Sequence, residues 1–115
     1  MCHVGHSFTL NEPWVVANVG YRWGGHAPGL RSPQAAAQAG QHLLLAHGLA
    51  VQAFRALHPK NGQIGITLSL TPTYPVADTA QDRAAAWLAD GFVNRAYLDL
   101  WYRDIMRQGG LRAQQ

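Results

Sequence analysis

The chain has 115 residues, enough for one small domain, and at that length folding buries only about two-thirds of the unfolded surface. Apolar residues at 48% and charged residues at 13% exclude a disordered chain and leave much of the surface to Ala, Gly, Gln and aromatic side chains, so exposed apolar patches are expected. The net charge of +3 rests on nine basic residues, eight of them Arg, scattered from Arg22 to Arg112 without a block; nucleic-acid binding, which needs a clustered basic face, is not expected.

In chain order, the first feature is Cys2, the only cysteine, which cannot form an internal disulfide. The N-terminal stretch lacks the basic start and apolar core of a signal peptide, which points to a cytoplasmic protein. Cys2, His3 and His6 make a Cys-His-x-x-His group with three zinc-compatible ligands. A fourth ligand would have to come from elsewhere, and the reading adopted is a chain without metal.

"HSFTLNEP" reads as a strand over Phe8 to Asn11, with Phe8 and Leu10 on one face, Thr9 and Asn11 on the other, and Pro13 barring continuation. Glu12, the only glutamate, then falls at the C-terminal end of that strand. "WVVANVG" has the pattern of a short helix, and "YRWGGHAPGLRSPQ" that of a loop punctuated by Gly24-Gly25, Pro28-Gly29 and Pro33. Ser32 as N-cap, with Pro at the first helical position, opens a helix to about Leu57. Its apolar positions Leu43, Ala46, Leu49 or Ala50, Ala53 and Leu57 recur at helical spacing. His42 and His47 lie five apart, about 140° around a helix, so they are core or surface histidines rather than a metal pair. The run "HLLLAHGLAVQAF" is too short and too polar to cross a bilayer.

After the Asn61-Gly62 turn, "QIGITLSL" alternates as a second strand, Gln63 to Leu70, and "TPTYPVAD" leaves it as a loop. Thr79 or Asp78 caps a further helix to about Gln108, with Gly91 as its weak point. Strand, helix, strand, helix predicts an α/β fold with a parallel strand pair. Two strands with two helices cannot cover both faces of a parallel sheet, so the unit reads as incomplete.

The motifs "TLNEPW", "GYRWGGHAPG", "AAAQAGQHLLLAHGLAVQAFRAL", "GQIGITLSLTPTYP" and "DRAAAWLADGFVNRAYLD", in this order, resemble the fourth and fifth βα units of glycoside hydrolase family 1, the β-glucosidases. The resemblance implies a single domain over 1–115, with a family-like region at 8–102 and unrelated tails at 1–7 and 103–115. It implies part of a (β/α)8 TIM barrel, with two parallel strands and two long helices. It further implies that Glu12 is the general acid/base and that Asn11 hydrogen-bonds a sugar hydroxyl; read as a binding module that reuses the barrel mouth, the chain would line a sugar-like cleft with Asn11, Trp23 and Tyr74. The substrate implied is a β-glycoside, and no cofactor is called for.

Retaining glycosidases pair the acid/base with a second carboxylate about 5 Å away, which the family takes from a Glu-Asn-Gly motif on another strand. This chain has no second glutamate, and its aspartates, Asp78, Asp82, Asp90, Asp99 and Asp104, all lie in or beside the last helix. Little or no hydrolysis by the chain alone is therefore expected. Free strand edges and bare helix faces predict a homo-oligomer, and a self-associating non-catalytic or sugar-binding fragment is the alternative function.

Overall fold

The computed structural model describes residues 5–57 and 62–99. These form two compact units, one within residues 1–69 and one within residues 70–115.

In the first unit, strand β1 (His6–Asn11) pairs in parallel with β2 (Gln63–Thr67), as the alternating sequences require. The expected run of β2 to Leu70 is too long. Pairing stops at Asn11↔Thr67, because β1 turns away at Glu12 and the ring of Pro13 supplies no N–H. Past that point residues 68–70 have no ladder partner from β1.

The register is not uniform. Phe8 lies opposite Gly65, yet Asn11 lies opposite Thr67, so β1 holds one residue more than β2 over this span: a β-bulge. Paired residues share a face, and Gly65 and Thr67 share one by alternation. The bulge therefore moves Asn11 onto the face of Phe8, correcting the expectation that Asn11 shares a face with Thr9. The Ser7 and Thr9 face is the one packed on the long helix, while Phe8, on the other, is 71% exposed.

That helix, α2 (Pro33–Leu57), begins as its sequence predicts: Ser32 Oγ accepts a hydrogen bond from the amide of Ala35 (3.2 Å). It packs on β1, on β2 and on the helical segment that follows β1. Its covered stripe is Ala36, Gly40, Leu43, His47, Val51 and Phe54. Of the apolar stripe expected from sequence only Leu43 belongs to it; Ala46, Leu49, Ala50, Ala53 and Leu57 are exposed. A pattern counted over apolar side chains alone skips His47, the residue at the centre of the buried stripe.

The segment between β1 and α2 opens with a short turn, α1 (Pro13–Val15), and widens into a π-helical stretch over Val16–Arg22. A loop then runs to Ser32. Gly20 permits its close approach, since a Cβ there would sit 2.7 Å from the carbonyl oxygen of Ala27, and Gly24 adopts φ +73°, a left-handed conformation that favours glycine.

In the second unit, α3 (Ala80–Asp90) starts at Thr79, whose hydroxyl accepts from the amide of Asp82 (3.0 Å) and donates to its carboxylate (2.8 Å). At Gly91 the helix does not break. It widens into a second π-helical stretch, Gly91–Arg95, and residues 96–99 continue it; the expected remainder to Gln108 lies outside the described residues. Among the described residues of this unit Asn94 and Tyr97 are the buried side chains, and burial pushes the Tyr97 phenol up.

Candidate active site

Asn11 and Glu12 stand together where β1 ends, one exposed and the other half-buried. Glu12 is held at φ 46°, ψ 60°, the left-handed region, and is the only non-glycine residue with positive φ among those described. That conformation costs a side-chain-bearing residue on the order of 1–3 kcal/mol, so the surroundings must impose it. They do so from both sides. The Glu12 amide donates to the Thr67 carbonyl of β2 (2.8 Å), and its own carbonyl accepts from the Val16 amide (3.1 Å). The next residue, Pro13, is fully buried. The Glu12 backbone is thus clamped between the strand partner and the following helical turn.

Behind it, Trp14 meets Trp23 edge to face, with ring centroids 5.6 Å apart. Asn18, buried beside them, donates from Nδ2 to the Trp14 carbonyl (3.1 Å), and its own carbonyl accepts from the Trp23 amide (2.9 Å). Trp23 is thereby fixed to the segment that starts at Glu12, with about half of its surface left open. Asn11, Glu12 and Trp23, proposed from sequence, all belong to one hydrogen-bonded assembly in the first unit. Tyr74, the fourth, lies in the second unit after Leu70 and is 80% exposed.

Glu12 is the only carboxylate side chain in residues 5–69. In the second unit, Asp78 pairs with Arg83, the Asp82 carboxylate accepts from the Thr79 hydroxyl in the first turn of α3, and Asp90 is engaged by Asn94 and Arg95. Hydrogen bonds from Asn94 and then Arg95 hold the Asp90 carboxyl below the usual carboxylate range. Arg95 also lies over the ring of Trp87, 4.0 Å from its centroid. Asp104 lies outside the described residues, as do Cys2, His3 and Trp101. Among the described residues no group of three or more His, Cys, Asp or Glu is placed to hold a metal, and no helix is long and apolar enough to cross a membrane.

His47, expected from sequence to be a core or surface histidine, is a core one, and its partner was not legible. His47, 6% exposed on α2, meets the Thr9 hydroxyl on β1, and that hydroxyl also lies 3.2 Å from the Gly65 carbonyl of β2. Burial pushes the His47 imidazole below its ordinary pKa, favouring the neutral ring. The legible signal was a histidine within an apolar helical pattern, but its partner is 38 residues away in the chain.

Comparison with known proteins agrees with this geometry. The sequence profile of "Glycosyl hydrolase family 1" matches residues 2–109, a stretch that contains the 8–102 region picked out by motif. "Beta-glucosidase A" of Acetivibrio thermocellus is 42% identical over 92 residues, covering 80% of this chain and 20% of that protein. "6-phospho-beta-glucosidase GmuD" of Bacillus subtilis is 41% identical over 92 residues, with the same coverage of 80% and 20%. Among solved structures, the AHE enzyme from Alicyclobacillus herbarius superposes with a TM-score of 0.77 at 48% identity, covering 82% of this chain and 21% of its own. A beta-glucosidase from Exiguobacterium marinum gives a TM-score of 0.72 at 46% identity, covering 77% and 20%. The chain spans about a fifth of the length of these relatives. Parallel strands flanked by helices, an Asn-Glu-Pro turn at a strand end and matching sequence over most of its residues lead to one assignment: the chain belongs to glycosyl hydrolase family 1.

Proposed function

We propose that this chain carries the proton-transfer half of a retaining β-glycosidase site. Glu12 is the general acid/base that protonates the leaving-group oxygen and later deprotonates water, Asn11 holds a sugar hydroxyl, and Trp23 borders the sugar. The observation that carries the reading is the clamped left-handed backbone of Glu12, directly after a bulge that turns Asn11 to the open face. Backbone strain of this kind collects at functional sites, and barrel enzymes place their chemistry at the C-terminal ends of strands.

A retaining mechanism needs a nucleophilic carboxylate about 5 Å from the acid/base. The first unit supplies none besides Glu12, and the aspartates described in the second are bound up in caps and ion pairs or lie on the helix that follows. The chain by itself is expected to hydrolyse β-glucosides weakly or not at all. The alternative, a self-associating fragment without catalysis, is favoured by the exposure of Phe8 on the sheet face that α2 leaves bare.

Two assays test the acid/base role. The chain is first incubated with an aryl β-glucoside over a dilution series, with Glu12→Gln in parallel. Its sequence is then transplanted into the Acetivibrio thermocellus beta-glucosidase A in place of the matching 92 residues. There Glu12→Gln should lower turnover by about 10² to 10⁴-fold on a glucoside with a poor leaving group and much less on one with an activated leaving group, which departs without protonation. Equal loss on both substrates, or none, would remove Glu12 from the acid/base role.

A further inference from the structure

Along β1, strict alternation would leave Asn11 on the helix-facing side with Thr9. The bulge between Phe8 and Asn11 reverses that, and only with the bulge does Asn11, the residue next to the Glu12 turn, stand on the open face. A bulge sacrifices regular pairing, so something must hold it at this position. Thr9 and Leu10 lie within the shift, and of the two Thr9 carries the polar side chain. Its hydroxyl lies 3.2 Å from the carbonyl oxygen of Gly65 on β2, and it is met by Nδ1 of His47 from α2. One hydroxyl thus ties both strands and the helix at the point where the register changes.

The protons follow from valence. Thr9 has one hydroxyl hydrogen, and when it goes to the Gly65 carbonyl the bond to His47 must be donated by the ring, from Nδ1–H into a lone pair of Oγ1. His47 is buried among the residues that α2 lays on the sheet, and the lowered basicity that burial imposes keeps it neutral there. The Thr9 contact accordingly calls for the Nδ1–H tautomer.

We infer that His47, acting through Thr9 and the Gly65 carbonyl, is a positioning residue that locks the β1 bulge and thereby sets the placement of Asn11 and Glu12. This rests on the acid/base reading of Glu12 for its consequence in catalysis, though not for its geometry. It requires that the link run through a hydroxyl and an Nδ1 donor, not through volume. Thr9→Val keeps the shape and removes the hydroxyl, whereas Thr9→Ser keeps the hydroxyl. His47→Asn keeps a donor near the position of Nδ1, whereas His47→Leu does not.

The test is side-chain and backbone NMR on the full 115-residue chain and these four variants, joined to turnover in the transplanted barrel. In the wild type the nitrogen shifts of the His47 ring should report a neutral Nδ1–H tautomer. Thr9→Val and His47→Leu should displace the amide and Cα resonances of Asn11 and Glu12 while leaving those of Ala36, at the far end of the same helix, in place. Thr9→Ser and His47→Asn should restore them. In the barrel, Thr9→Val should lower kcat about tenfold with little change in KM, and Thr9→Ser should recover it. A ring protonated only at Nε2, or a folded Thr9→Val with unmoved Asn11 and Glu12 resonances, overturns the proposal. Displaced resonances in a barrel indifferent to Glu12→Gln would support the positioning and dismiss the acid/base role alone.

Discussion

Asn94 grips the backbone of Thr71 from both sides: its Oδ1 accepts from the Thr71 amide and its Nδ2 donates to the Thr71 carbonyl, each at 2.9 Å. A side-chain amide thus pairs with both backbone groups of a residue that lies outside any strand. The same Nδ2 donates to Asp90 (2.7 Å), so one buried side chain joins the loop to the helix.

Removing that grip leaves the Thr71 amide and carbonyl without their side-chain partner and takes one of two donors from the Asp90 carboxylate, which keeps Arg95. Asn94→Ala should destabilise the chain by about 1–3 kcal/mol, the usual effect of orphaning buried polar groups. Urea unfolding measures the loss, and hydrogen exchange at the Thr71 amide should accelerate well beyond that of Ala17. Unchanged exchange at Thr71 would show that the loop is held by something else.

Glu12 predicts a trade between stability and chemistry. Glycine accepts a left-handed backbone without a Cβ penalty, so Glu12→Gly should raise the unfolding free energy by about 1 kcal/mol while abolishing acid/base activity in the transplanted barrel. A variant that is less stable than the wild type would mean that the Glu12 side chain, and not only its backbone, holds the turn.

The acid side of the stability profile should carry the mark of His47. Its folded pKa lies below its unfolded value of about 6.5, so the folded state binds the proton more weakly than the unfolded state does. The stability associated with the neutral ring is complete above about pH 6.5 and falls as pH drops from there through the folded pKa. Unfolding free energies between pH 8 and 5 should therefore decline more steeply for the wild type than for His47→Asn, which cannot titrate. Parallel profiles would contradict a buried neutral imidazole.

Association tests the second reading of function. Phe8 is exposed on the uncovered face of a two-stranded sheet, and few side chains are buried among those described. Light scattering at micromolar concentration should give a mass above that of one chain, and Phe8→Lys should lower it. A cooperatively folding monomer at these concentrations would dismiss self-association.

Much was legible in the sequence because it depends on local chemistry. The caps at Ser32 and Thr79 show in the residue types themselves, the strand cores at Phe8 and Ile64 in alternation, and the family in "TLNEPW" and its companions. Glu12 at a strand end followed from the inability of Pro13 to continue a ladder. The tertiary structure decided the rest. Which face Asn11 occupies depends on one extra residue in β1 relative to β2, a property of the pairing and not of either strand. That His47 rather than an apolar neighbour centres the buried stripe of α2 depends on a threonine 38 positions earlier. Periodicity reports which residues share a face. Only contact between elements reports which face is covered and which polar group finds a partner there.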